Sequence, residues 1–83
     1  MDELRKRQKI ISQLVEARLE QGISQAELAR RLGIQRSGIN RLESGTQNPT
    51  LDMILKIASA LGKDVSLELN DKEEPMSHVY SLR

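Results

Sequence analysis

SQAELARRLGIQRSGINRLESG, residues 24–45, is the stretch on which the fold turns. Ser24 with Glu27 three residues on has capping-box spacing, in which each side chain satisfies a backbone N–H at a helix start. Leu28, Ala29 and Leu32 follow at helical spacing and give one apolar face. Gly33 stands where the chain must turn sharply, in a left-handed backbone conformation that is cheap only for glycine. Ile34 is the apolar plug after the turn, Ile39 and Leu42 carry the buried stripe of a second short helix, and Gly45 ends it. Gln35, Arg36, Ser37, Asn40 and Arg41 are left over, a compact set of hydrogen-bonding side chains on a helix tethered at a fixed angle.

On the N-terminal side, residues 1–21 predict a first helix. Ile10, Ile11, Leu14, Val15, Arg18 and Leu19 recur at helical spacing along its buried face, and Gly22 stops it. Asp2 and Glu3 suit the positive end of a helix. The run Arg5, Lys6, Arg7 and Lys9 reads either as a set of phosphate contacts or as a solvated helix end. On the C-terminal side, residues 44–48 are turn-rich, and Pro49 with Thr50 opens a further helix. Thr50 is its N-cap and Asp52 favours its positive end. Met53, Ile54, Ile57, Ala58 and Leu61 form its apolar face, and Gly62 terminates it.

The period then changes. Val65, Leu67 and Leu69 alternate with Ser66, Glu68 and Asn70, which is a strand pattern over residues 65–70. A lone strand needs partners for its backbone groups, and residues 1–64 offer no obvious second strand. Two arrangements remain: pairing with its own copy across a two-fold axis, which makes a homodimer, or a hairpin with residues 78–82. The dimer is preferred, because symmetric pairing is the commonest oligomer. Residues 71–83 are charged and interrupted by Pro75, and are expected to be a flexible tail. Val79, Tyr80 and Leu82 within it read as a partner-binding element or as a frayed end.

The 83 residues include a single aromatic, so the core must come from Leu, Ile, Val and Ala on helices, near the size at which dimerisation helps stability. With no cysteine there is neither a disulfide framework nor a thiolate metal site. His78 is the only histidine and has no acid or nucleophile beside it, and no Gly-rich phosphate loop occurs, so no enzyme activity, metal or cofactor is expected. No apolar run approaches a membrane span and the N-terminus lacks a signal-peptide core, which leads to the expectation of a cytoplasmic protein. Residues 1–41 carry nine Lys/Arg against five Asp/Glu, whereas residues 42–83 carry four against seven. A basic front and an acidic back fit a polyanion on one side and a different partner on the other.

Gln25, Leu28, Ala29, Gly33, Ile39, Glu43 and Gly45 stand at the spacing of the Xre/Cro/C1-type helix-turn-helix DNA-binding family, which residues 14–62 resemble. The resemblance implies an all-α, lambda-repressor-like bundle of about four helices over residues 1–64, with the single strand 65–70 for dimerisation and the tail 71–83 beyond it. By family position Gln35, Arg36 and Ser37 reach base edges, with Asn40 one turn on, and Arg41 reads a base or holds a phosphate. Arg36 suits guanine O6 and N7, and Gln35 and Asn40 suit adenine N6 and N7. Gln25, with Ser24 at the preceding cap, is placed to grip a phosphate through backbone and side-chain amides; Asn48 and Thr50 add phosphate contacts. Arg18 matches a family arginine that pairs with the glutamate matching Glu43, tying the first helix to the end of the recognition helix. Two residues depart from the pattern. Gln35 is a poor cap where the family has Ser or Thr. Gly38 costs about 1 kcal/mol of helix propensity where Ala, Thr or Ser is common, and reads as close packing on the preceding helix or close approach to the sugar-phosphate backbone.

The order helix-turn-helix, TLDMILKIASALG, DVSLELN and a short tail is similar to that of HipB-like antitoxins within the family. That layout implies a sequence-specific repressor of double-stranded DNA. It would act as a homodimer on a palindromic operator, with two recognition helices in successive major grooves, and would autoregulate the operon of a toxin-antitoxin pair while binding a kinase-like toxin. The alternatives are a plain phage-like or chromosomal regulator without a toxin, and a toxin-neutralising module with little DNA binding.

Overall fold

The second and fourth helices of this chain begin at a side-chain cap, and the second and third end at a glycine in the left-handed conformation. The computed structural model describes residues 2–71, which form α1 (Asp2–Glu20), α2 (Gln25–Leu32), α3 (Arg36–Ser44) and α4 (Leu51–Ala60). Ser24 caps α2, its hydroxyl accepting from the Glu27 N–H at 3.0 Å, and Thr50 caps α4 by accepting from the Met53 N–H at 3.1 Å. The reciprocal half of the expected capping box is not made. The Glu27 carboxylate turns outward to Arg30 and Arg31 instead, and those hydrogen bonds, Arg30 first, hold its pKa below the ordinary carboxylate value.

The α2–α3 turn is closed by glycine. Gly33 has φ +69°, its N–H reaches the Arg30 carbonyl at 3.2 Å, and the Ile34 N–H reaches back to Ala29 at 3.0 Å. These two bonds satisfy carbonyls that the end of α2 leaves over. Gly45 repeats the device after α3, with Thr46 bonding back to the Arg41 carbonyl at 3.1 Å.

The core joins Ile11, Leu14 and Ala17 of α1, Ile23 of the following turn, Leu28 and Ala29 of α2, Ile39 and Leu42 of α3, and Ile57, Ala58 and Leu61 from α4 and its C-cap. α2 packs on both α3 and α4, and α1 packs on α3. Leu19 does not join this core: it is 61% exposed. The buried face of α1 is centred on Ile11, Leu14 and Arg18, and at 3.6 residues per turn Leu19 lies about 100° round from Arg18. Ala17 is buried on the other side of Arg18.

Residues 65–70, expected as a strand, form no ladder, and the described chain contains four helices and no strand. The reason is the one that made the pairing question open: nothing among the described residues offers this segment a sheet edge. The burial does not follow the alternation, which would place Val65, Leu67 and Leu69 on one face. Val65 packs against the core, while Leu67 and Leu69 are 66% and 102% exposed. The hairpin alternative at 78–82 and the tail beyond residue 71 lie outside the described residues.

Gly38 is not in tight packing. A Cβ there would meet only the Ile34 Cδ1, at 3.8 Å, an ordinary contact. Gly38→Ala is therefore expected to raise unfolding stability by up to about 1 kcal/mol, the propensity difference in a helix. Urea denaturation checks this, and a loss of stability would show that the position is crowded.

Candidate nucleic-acid interface

α3 divides cleanly. Ile39 and Leu42 are 1% and 4% exposed and seat the helix on the core, whereas Gln35, Arg36, Ser37, Asn40 and Arg41 are all exposed. Arg36 and Asn40 are one turn apart, as are Ser37 and Arg41, so two adjacent rows of polar side chains cover the outer face. Arg36, Ser37 and Asn40 line one shallow depression. Gln35 is the N-cap of α3 in extended backbone, and its side chain makes no capping bond.

The angle of this helix is held by a buried polar network. Arg18, 7% exposed, donates from Nε to Glu43 Oε2 at 2.7 Å and from Nη2 to Glu43 Oε1 at 2.8 Å. Its Nη1 donates to the Ile23 carbonyl at 2.8 Å. Gln25 Nε2 donates to the same Glu43 Oε1 at 2.9 Å, and Asn40 Nδ2 donates to Gln25 Oε1 at 3.4 Å.

Direction runs through this chain. An ionised carboxylate only accepts, so Gln25 must present nitrogen to Glu43 and oxygen to Asn40. Asn40 must then present nitrogen to Gln25. It keeps its oxygen and a second amide hydrogen, the donor–acceptor pair that an adenine edge requires in the major groove.

The residues expected at phosphates are differently committed. The Gln25 side chain is half-buried and already bonded to Glu43 and Asn40, which leaves one Nε2 hydrogen beside the backbone N–H groups at the start of α2. Ser24 and Thr50 accept backbone hydrogens with their hydroxyl oxygens, which leaves each O–H as a donor. Asn48 Oδ1 accepts from Arg7, and Gln47 Oε1 accepts from Arg41 Nε at 3.3 Å.

The Arg7–Asn48 contact was not visible in composition. Its signal was positional: Arg7 lies four residues before Ile11, on the core-facing stripe, at the end of α1 where the core has run out. Val65, Leu67 and Leu69 follow α4 in the chain, with Leu67 and Leu69 exposed. Val65 lines a groove of about 360 Å³ with Ile10, Leu14 and Ala17 of α1 and Ala58 of α4.

Residues 14–67 match a family model described as Helix-turn-helix. The chain is 38% identical over 58 residues to an uncharacterized HTH-type transcriptional regulator of Haemophilus influenzae, covering 70% of this chain and 59% of that protein. It is 45% identical over 49 residues to another such regulator, from Methanothermobacter thermautotrophicus, covering 59% of this chain and 71% of that protein. Among solved structures, a chain of a toxin-antitoxin module from Streptococcus pneumoniae superposes with a TM-score of 0.66 at 39% identity, covering 83% of this chain and 76% of that one. The chain thus spans about three-fifths of the Haemophilus relative.

The network makes Glu43 a critical residue. Glu43→Ala leaves the Arg18 guanidinium buried without its anion, and is expected to cost about 3–5 kcal/mol in chemical denaturation. The double variant Arg18→Met/Glu43→Met should cost clearly less than the two single changes together, since neither charge is then stranded. Additive losses would show that the two side chains are not energetically coupled.

Proposed function

This chain belongs to the Helix-turn-helix family that its residues 14–67 match, and from that membership we propose that it is a sequence-specific, double-stranded DNA-binding transcriptional repressor. It acts as a homodimer, as the autoregulating antitoxin of a toxin-antitoxin pair. The observation that carries the reading is the outer face of α3: Arg36, Ser37, Asn40 and Arg41 exposed on a helix whose inner face is locked by Arg18 and Glu43. A helix of this width enters the major groove, where arginine reads guanine and asparagine reads adenine through paired hydrogen bonds. Gln35 joins them from the N-cap, with a side chain not used in capping. Ser24, Gln25, Asn48 and Thr50 hold the flanking phosphates and fix the register.

The regulators among its relatives support the transcriptional role. The toxin-antitoxin module supports the antitoxin role; a kinase-like toxin as the second partner rests on the HipB-like layout of the sequence alone. Repression follows from occupying a promoter in the cytoplasm, with no chemistry performed. The exposed Leu67 and Leu69 support the dimer. Two copies of residues 65–70 would satisfy each other's backbone groups and cover those side chains, presenting two α3 helices to a palindromic operator.

Binding to the DNA upstream of its own gene, against a scrambled duplex at physiological salt, tests the core of this reading. Nanomolar affinity with a preference of about a thousandfold or more is expected; weak and equal binding to both would sink it. Removing residues 71–83 separates the two roles, since toxin binding should be lost while operator binding stays. Loss of both together would make the division wrong.

Two substitutions report on the parts. Arg36→Ala should cost about 1–3 kcal/mol of operator affinity and relax the preference at one base pair; equal weakening on scrambled DNA would reassign Arg36 to a phosphate. Leu67→Glu should convert the dimer to monomer in light scattering at micromolar concentration, and an unchanged mass would end the strand-pairing model.

A further inference from the structure

We propose that the N-terminal extension of α1 is a second DNA-backbone contact, in which Arg7 and the loop after α3 together form a phosphate-binding edge. The inference rests on the DNA-binding reading and extends it to Arg7, which lies outside the family match. α1 begins at Asp2, whereas the match begins at residue 14, so three turns of helix precede the shared domain. This overhang is tied down by Arg7, whose Nη1 donates to Asn48 Oδ1 across the chain.

The chemistry of the edge is set by which ends of its amides are occupied. Asn48 gives its oxygen to Arg7, and Gln47 gives its oxygen to Arg41. Each amide therefore offers nitrogen, a donor, to anything that approaches from outside. Both arginines are bonded here to neutral amides, which leave the guanidinium charge in place. Two cations, Arg7 from α1 and Arg41 from α3, bonded to two amides of the loop after α3, make an edge rich in donors and positive charge, the complement of a phosphate oxygen. Thr50, whose hydroxyl keeps its hydrogen after capping α4, stands at the end of the same loop.

The other basic residues of the extension are placed differently. At 100° per residue, Arg5 and Lys9 fall on the side of α1 opposite Arg7. They add long-range attraction but do not line the edge. Glu3, one turn before Arg7 on its own face, is the acidic neighbour that an approaching phosphate would meet.

The test is fluorescence anisotropy of the full-length protein on the upstream duplex and on a scrambled duplex, from 50 to 300 mM salt. Each phosphate contact contributes roughly −0.9 to the slope of log K against log salt. Arg7→Gln should lower the slope's magnitude by about two for a dimer, one per protomer, and weaken binding to both duplexes by about tenfold with the ratio between them kept. Arg7→Lys should retain the slope. The pair Arg5→Gln/Lys9→Gln should change it less than Arg7→Gln does. A melting curve for Arg7→Gln that matches the wild type excludes unfolding as the cause. An Arg7→Gln protein with unaltered slope and affinity overturns the proposal while leaving the DNA-binding reading intact. A wild-type protein without preference for the upstream duplex removes the sequence-specific reading, and the scrambled duplex still decides whether Arg7 meets a phosphate.

Discussion

Three helices meet on one carboxylate. Glu43 belongs to α3, Arg18 brings α1 to it through two nitrogens, and Gln25 brings the first turn of α2 to one of the same oxygens. The third nitrogen of Arg18 holds the Ile23 carbonyl in the turn between α1 and α2. The apolar core around it is built from Leu, Ile and Ala, which fill space and tolerate repacking. A planar guanidinium forked onto a carboxylate does not, because both bonds survive in only one orientation. Taking the two charges out of water consumes much of what their attraction returns. The pair is thus better understood as fixing the angle between α1 and α3 than as a large source of stability.

The same network decides what the outer face of α3 can say. Polar side chains fall into those that hold and those that present, and Gln25 sits on the boundary. Its amide is oriented by the Glu43 charge, and it orients Asn40 in turn. The donor and acceptor ends of Asn40 are therefore assigned before any ligand arrives, which would remove part of the ordering cost of the proposed contact with a base. Arg36 carries no such restraint in the network and keeps the reach of a long side chain.

Much of this was legible in the sequence. Ser24, Gly33, Gly45 and Thr50 mark boundaries through chemistry that acts within a few residues, so each could be read locally. The apolar stripes of α2, α3 and α4 follow from periodicity alone. Leu19 was misplaced because periodicity gives a face without its width, and a face narrowed by an arginine at its centre excludes its flank. The half-made capping box at Glu27 has a similar origin, since the spacing permits the bond but cannot weigh it against two arginines one turn on. Residues 65–70 show the opposite limit. The pattern puts Val65, Leu67 and Leu69 on one side, yet only Val65 packs on the core, because no pattern within one chain supplies the neighbouring edge that makes a strand.

Charge was the least legible property, because a sum over sequence does not say which charges are spent on one another. Of the nine basic residues in the first half of the chain, Arg18 is consumed by Glu43, and Arg30 and Arg31 share Glu27 on the outer side of α2. Arg7 and Arg41 are bonded instead to amide oxygens, which orient a guanidinium without neutralising it. A pair with a carboxylate and a pair with an amide look alike as hydrogen bonds and differ in what they leave for a third party. The first closes a charge off, and the second aims it. The aimed charges lie at the two ends of one surface, on the overhanging start of α1 and the last turn of α3, with the polar loop between them. Charge laid out in that way is a local property of the surface, which a total over the chain does not carry.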